Sequence, residues 1–403
     1  MATKPKILLI SDSPYASTGL GRMSKYFLKM LPEFEWLVWG FNHNEFNVKN
    51  GIYRAVCNKD DFEADFEILS PKSYTDDQYG LNIVPSIIEQ YKPDFVITSM
   101  DYDRVVGAIL NELKQLQFAQ GFKWINYFPM DREDFKNLEV NSYRYADVNV
   151  CITKFGQEKI KSINPRVRVE QIYHPIDVAD FPQVKNKEIE NFKRKTFAKI
   201  ENTNFLIGSI NRSFSRKDTP RLVRVLSEYL AENENARAYI HGARTTNEGM
   251  DLLKLAIETE APKGAMYFPP DNFSEIIGIS GGDLNKIYRS LDLFLTVSSG
   301  EGFGFTTAEA LLTKTPIIAP RNTSFPELIQ DFGYLVEPSD MAFHHNSNTS
   351  MWPIVNVQDV KDKIKYVQDN YEEAKAKAEA GSQWVKDNLN LDVIAAQWRE
   401  ILK

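Results

Sequence analysis

Short apolar runs rich in β-branched residues alternate along this chain with longer segments of helical period. Residues 6–11 (KILLIS), 35–41 (EWLVWGF), 94–99 (DFVITS), 123–128 (KWINYF), 147–152 (DVNVCI) and 167–173 (VRVEQIY) read as strands. Several are apolar without interruption, the pattern of strands covered by helices on both faces. Helical periodicity fills residues 22–31, 84–91, 105–116 and 157–163. Residues 183–204 are polar, dense in Lys and Glu, and follow Pro182, which marks a domain boundary. The alternation then restarts. Strands are expected at 205–210, 236–242, 265–268, 291–297, 315–320 and 334–338, with helices at 219–232, 251–259, 283–289 and 306–313. Residues 341–352 read as a polar loop, and two closing helices are expected over 357–380 and 382–402. The fold class is therefore α/β, with a parallel doubly wound sheet in each half.

Composition narrows the function classes. The 403 residues are 43% hydrophobic and 26% charged, enough to bury a sizeable core in each half. With 48 Lys+Arg against 55 Asp+Glu the formal charge is −7, so nucleic acid would need a local basic patch rather than a general field. Cys57 and Cys151 are the two cysteines, which excludes a disulfide framework or a multi-thiolate metal site and fits a reducing, cytoplasmic setting. The apolar run at 7–10 is too short for a secretory leader, and no stretch is long enough for a membrane span, which leaves peripheral membrane contact open.

Each half carries a loop suited to an anionic ligand, because doubly wound sheets bind at the carboxyl ends of strands, where helix N-termini begin. In the first half, Ser11 to Arg22 follows the first strand and contains Gly19 and Gly21. Ser24 stands where a dinucleotide fingerprint needs its third glycine, which argues against NAD; a tight turn packing helix on sheet is the alternative. In the second half, the chain reads SSGEGFGFTTAEAL from Ser298. Gly302 and Gly304 free the backbone to bend around a ligand, and the amides of Phe303, Gly304, Phe305 and Thr306 lie where a helix would begin, placed to hold a diphosphate. Glu309, eight residues after Glu301, can point back from that helix. Arg212 and Lys217, on the loop after strand 205–210, supply a forked and a compact cation. Taken alone, such a pair is also what a solvated surface carries.

The segment SSGEGFGFTTAEALLTKTPIIAP resembles the E-x7-E signature of retaining nucleotide-sugar glycosyltransferases of the GT-B fold, the group that includes glycogen and sucrose synthases and mannosyltransferases. YADVNVCITKFGQEKI, the YHPID element at 173–177 and GDLNKIYRSLDLFLTVSS extend the resemblance over nearly the whole chain. It implies two Rossmann-like domains facing each other across a cleft: an acceptor-side domain over 1–184, completed by a returning helix at 385–403, and a donor domain over 185–384. It implies that Arg212 and Lys217 bind the donor diphosphate, Glu301 contacts the donor sugar, residues 302–306 hold sugar and phosphate, and Glu309 bonds the ribose. Gly19 and Gly21 would cover the phosphate, and Asp131 would stand beside the reacting sugar. The implied reaction moves a sugar, with a UDP-sugar expected, to an acceptor hydroxyl with retention, without a metal or other cofactor. The sequence departs from the relatives at Phe268-Pro269-Pro270, where a small residue is usual.

Other readings stay open at this level. A nucleotide-sugar epimerase or phosphorylase, or a non-catalytic nucleotide-sugar binder, would use the same architecture. Asp101-Tyr102-Asp103 has the D-x-D form of metal-dependent transferases but also suits a helix cap. His43, His174, His241, His344 and His345 lack metal-ligand spacing. The acceptor is open among glycan, lipid, protein and hydroxylated DNA base. A nucleic-acid acceptor would use a basic rim from Arg22, Lys25, Lys29, Arg104, Arg132, Lys136 and Arg144. The first half is rich in aromatic residues that could stack on a sugar or base.

Overall fold

A computed structural model describes residues 4–16, 18–42, 52–53, 65–100, 106–134, 143–197, 205–246, 249–270, 273, 279–343 and 350–403. The D-x-D triplet, His43, Cys57, Arg104, Lys136, His344 and His345 lie outside them. By contact density the chain forms two compact units. The first comprises residues 1–130, 135–175 and 391–403; the second comprises 131–134 and 176–390.

The first unit runs β1 (Lys6–Asp12), α1 (Gly19–Met30), β2 (Glu35–Phe41), β3 (Ile52–Tyr53), β4 (Asp65–Leu69), α2 (Val84–Tyr91), β5 (Phe95–Ser99), α3 (Val106–Gln120), β6 (Lys123–Phe128), β7 (Val148–Cys151), α4 (Lys154–Ile163) and β8 (Val169–Gln171). The sheet order is β3-β4-β2-β1-β5-β6-β7-β8, parallel except for the antiparallel edge pair β3 and β4. Central strands are buried on both faces: Ile7, Leu8, Leu9 and Ile10 are all fully inaccessible. That explains their unbroken apolar runs. The short strand β4 escapes sequence reading because DFEIL mixes charges with apolar residues.

The second unit runs α5 (Asn186–Thr196), β9 (Phe205–Ile210), α6 (Thr219–Glu232), β10 (Ala236–His241), α7 (Leu252–Glu258), β11 (Met266–Tyr267), α8 (Gly281–Ser290), β12 (Leu293–Leu295), α9 (Phe305–Leu312), β13 (Ile317–Pro320), α10 (Phe325–Ile329), β14 (Tyr334–Val336), β15 (Pro338–Phe343), β16 (Met351–Val355), α11 (Val357–Asp369) and α12 (Tyr371–Asn388). Its sheet is parallel, in the order β11-β10-β9-β12-β13-β14.

Three expectations need correction. Residues 341–343 and 351–352 are strand rather than loop: β15 and β16 pair antiparallel, with Phe343 opposite Met351, and Trp352 turned inward at 5% exposure. The C-terminal stretch forms three helices rather than two. One break falls at Asn370, whose backbone leaves the helical region, and another between α12 and the final helix α13 (Leu391–Ile401). The polar segment 183–204 includes the helix α5 rather than being only a connector.

Helix α13 belongs to the first unit. Trp398 packs edge-on against Phe27 (4.7 Å between centroids) and Tyr127 (5.0 Å), while Arg399 Nε donates to Glu33 Oε1 at 2.7 Å. Burial of Trp398 and its ring contacts anchors the helix far more strongly than the exposed ion pair does.

Candidate functional site

In the second unit the chain builds β9, β10 and β11 outward on one side, then crosses to place β12 on the other side of β9. The carboxyl ends of β9 and β12 are thus a topological switch point, where open parallel sheets leave a crevice. The loops that follow these two strands carry Arg212 to Lys217 and Ser298 to Gly304.

Arg216 ties the two loops together. Its carbonyl accepts from the Ser299 amide (2.8 Å) and the Ser298 hydroxyl (3.2 Å). Its guanidinium donates to the Gly300 carbonyl (2.8 Å) and to Glu301 Oε2 (3.1 Å), and its Nε lies 3.3 Å from Asp131 Oδ2. Lys217 Nζ donates to the other Glu301 oxygen. The Glu301 side chain is 8% exposed and that of Lys217 11%, so this is a desolvated cluster. Burial alone would raise the Glu301 carboxyl, but the Lys217 and Arg216 charges overcome it and hold the group down to about 2. Burial pushes the Lys217 ammonium down to about 8 against the pull of Glu301.

Local backbone geometry sets this arrangement. Lys217 closes a 3-10 turn, Ser215–Lys217, and Asp218 then adopts a left-handed conformation (φ 46°) that starts α6. Across from it, Gly300 is pressed against the Asp131 carbonyl: a Cβ there would lie 2.0 Å from that oxygen and 2.7 Å from the Trp352 ring. The Glu301 amide donates to Thr323 Oγ1 at 2.9 Å, fixing the loop from below. Gly304 sits at φ 95°, the left-handed region, and opens α9. The first backbone bond of that helix runs from Thr307 to the Gly304 carbonyl (3.0 Å), so the amides of Phe305 and Thr306 precede the helical ladder.

The sequence-predicted residues are sorted by this geometry. Asp131, Lys217 and Glu301 come together. Arg212 does not join them: its guanidinium lies over the Phe214 ring (4.8 Å), with a buried Nε that has no partner. Asn211 Oδ1 and Thr307 Oγ1, on the same two loop systems, are also buried without partners. Glu309, 1% exposed, accepts from the Tyr288 hydroxyl at 2.7 Å from inside α9. Residues 302–304 are buried; Phe303 packs its ring at 5.3 Å from Phe305, and its carbonyl accepts from Ser324. Gly19 and Gly21 belong to the first unit, in the opening turn of α1 capped by Thr18. A Cβ at Gly21 would lie 2.4 Å from the Ala16 carbonyl oxygen, so this glycine answers first to loop packing. Sequence reasoning missed Arg216; its one signal was adjacency to Lys217. His241 and His174 are buried beside tyrosines: burial pushes them down to about 4 and about 3, and each Nδ1 meets a tyrosine hydroxyl, of Tyr239 at 2.6 Å and Tyr127 at 2.8 Å.

Among the described residues no group of His, Cys, Asp and Glu forms a metal site, and no helix is long and apolar enough to cross a membrane. Residues 190–351, which contain the Arg216 cluster and the α9 loop, match the family described as glycosyl transferases group 1. That match falls within the second unit.

Relatives of this chain include an alpha-1,3/1,6-mannosyltransferase, alg2, of Schizosaccharomyces pombe, 25% identical over 66% of this chain and 52% of that protein. A lipopolysaccharide core biosynthesis mannosyltransferase, LpcC, of Rhizobium leguminosarum is 29% identical over 34% of this chain and 37% of its own. The matches span about half or less of these relatives' length. Among solved structures, Anabaena Alr3699/HepE in complex with UDP and glucose superposes with a TM-score of 0.73 at 15% identity, covering 99% of both chains. Sucrose-phosphate synthase from Thermosynechococcus elongatus gives 0.72 at 13%, covering 99% of this chain and 98% of its own. The fold is that of GT-B glycosyltransferases, two parallel-sheet α/β domains.

Proposed function

We propose that this chain is a retaining glycosyltransferase that moves a sugar from a nucleotide-diphosphate sugar, a UDP-sugar in the first instance, to an acceptor hydroxyl without a metal ion. The observation that carries the reading is the desolvated Lys217–Glu301–Arg216 cluster at the switch point, beside the first turn of α9. Lys217 has three donors, of which Glu301 needs one, and Arg212 keeps a buried Nε without a partner. Both can turn to diphosphate oxygens, while the amides over 302–306 add the helix-terminal field. Glu301 then faces the donor sugar, and Glu309, held by Tyr288, takes the ribose hydroxyls.

In the reaction the bond from the anomeric carbon to the diphosphate breaks and one to the acceptor oxygen forms on the same face, with the acceptor proton passing to the departing phosphate. Negative charge grows on the leaving oxygen, where preorganised cations are worth most in a dry site. Positive charge grows on the sugar ring, where Asp131 and Glu301 stabilise it. Arg216 pairs with both carboxylates and holds them in place. The test is turnover of UDP-glucose, with GDP- and ADP-sugars as competitors, in EDTA and with product anomers assigned by NMR. An inverted anomer refutes retention, and loss of turnover in EDTA that Mn²⁺ restores refutes metal independence.

A further inference from the structure

The first unit holds a cavity of about 290 Å³ at the carboxyl ends of β2 and β4, lined by Asn42, Ser70, Pro71, Lys72, Asp76 and Gln78. Its size falls just short of the about 300 to 1,000 Å³ of drug-sized ligand sites and suits a smaller molecule. The wall is fixed by its own bonds. The Ser70 carbonyl accepts from the Ser73 amide, the Pro71 carbonyl from the amides of Tyr74 and Thr75, and Asp77 caps the amides of Tyr79 (3.2 Å) and Gly80 (3.1 Å). The contrast between neighbouring residues is informative. Asp77 is consumed by the turn, whereas Lys72, Asp76 and Gln78 have side chains with no hydrogen-bond or ion-pair partner among the described residues. Asn42, in the left-handed region at φ 53°, gives its amide to Asp12 Oδ1 (3.0 Å), and Asp12 Oδ2 accepts from Thr18, which caps α1. The cavity is thereby bonded to the glycine-containing loop.

We infer that this cavity is a subsite for a neutral saccharide. One ammonium and one carboxylate face the same space, so a free anion meets Asp76 and a free cation meets Lys72. A pyranose offers adjacent hydroxyls that donate to Asp76 and to the Gln78 and Asn42 carbonyl oxygens while accepting from Lys72. This rests on the glycosyltransferase reading in one respect, that the bound saccharide is the acceptor.

The test is calorimetric titration of the full chain with methyl α-mannoside, methyl α-glucoside, methyl β-galactoside and their disaccharides, with inorganic phosphate as the anionic arm and UDP as the donor-site arm. The expected result is binding of at least one glycoside, weakened tenfold or more in Asp76→Ala and in Gln78→Ala, with UDP binding unchanged in both. Circular dichroism confirms that each variant is folded. Binding of phosphate but no glycoside, or glycoside binding unaltered in both variants, overturns the inference. UDP binding without any glycoside binding sinks this subsite and leaves the donor reading standing. Glycoside binding without UDP sinks the donor reading and leaves the subsite.

Discussion

Arg216 Nη1 donates to Glu301 Oε2 at 3.1 Å, although the two residues stand 85 apart in the chain. That bond, with the one from Lys217 to the other carboxylate oxygen, makes a buried ion cluster out of two loops. Removing one member of such a set leaves its partner charged and desolvated, at about 3 to 5 kcal/mol. Lys217→Met is therefore expected to lower unfolding free energy in urea by that order, and Lys217→Met with Glu301→Gln to recover most of it. A double variant no more stable than the single one contradicts the pairing.

The Lys217 ammonium is held down to about 8 from 10.5, while Glu301, held down to about 2, stays ionised through the working range. A donor diphosphate needs Lys217 charged. The free-enzyme profile of kcat/KM for the donor should be level on the acid side of about 8 and fall as pH rises through it. In Lys217→Arg the guanidinium stays charged, so this alkaline limb should move up by more than one pH unit. A limb that does not move assigns it to another group.

Gly300 has room for a hydrogen and nothing more, with the Asp131 carbonyl 2.0 Å from where a Cβ would stand. Gly300→Ala must push residues 131–134 or the Trp352 ring away, at about 1 to 3 kcal/mol. The expected outcome is a lower midpoint of thermal unfolding together with at least a tenfold loss of donor turnover, since Asp131 and Glu301 both shift. A variant with wild-type midpoint and turnover would show that this contact is not maintained.

Tyr288 gives its hydroxyl to the buried Glu309 at 2.7 Å. A hydrogen bond of this kind is worth about 0.5 to 1.5 kcal/mol net. Tyr288→Phe should raise KM for the nucleotide sugar several-fold with a smaller change in kcat, as expected for a residue that orients the ribose partner. A loss confined to kcat would place Glu309 in the chemistry instead.

Much of the architecture is legible in the sequence because strands buried on both faces cannot hide: EWLVWGF and FLIGSI are strands over the full lengths their apolar runs suggest. Helices with clear ends read well too, as at Val84–Tyr91 and Thr219–Glu232. What fails is local structure set by distant partners. The paired strands β15 and β16 read PSDMAF and MWPIV, neither of which alternates polar and apolar residues as a half-buried strand would, so nothing local separates them from loop. The break before α13 follows Leu389, whose carbonyl accepts from the Ile176 amide, a contact no local pattern encodes. At the site, Glu301 and Lys217 stand out by spacing and loop position, but Arg216 looks like surface charge until the fold brings Asp131 and Glu301 to its two edges.

The central claim is that the Lys217–Glu301–Arg216 cluster is a nucleotide-sugar diphosphate site. Calorimetric titration of UDP-glucose into the full chain in EDTA tests it most directly, with wild type, Lys217→Ala and Arg216→Ala compared after their folding is confirmed by circular dichroism. The account predicts one-to-one binding in the wild type and a loss of at least a hundredfold in Lys217→Ala, with a smaller loss in Arg216→Ala. Binding of equal strength in all three proteins would contradict it.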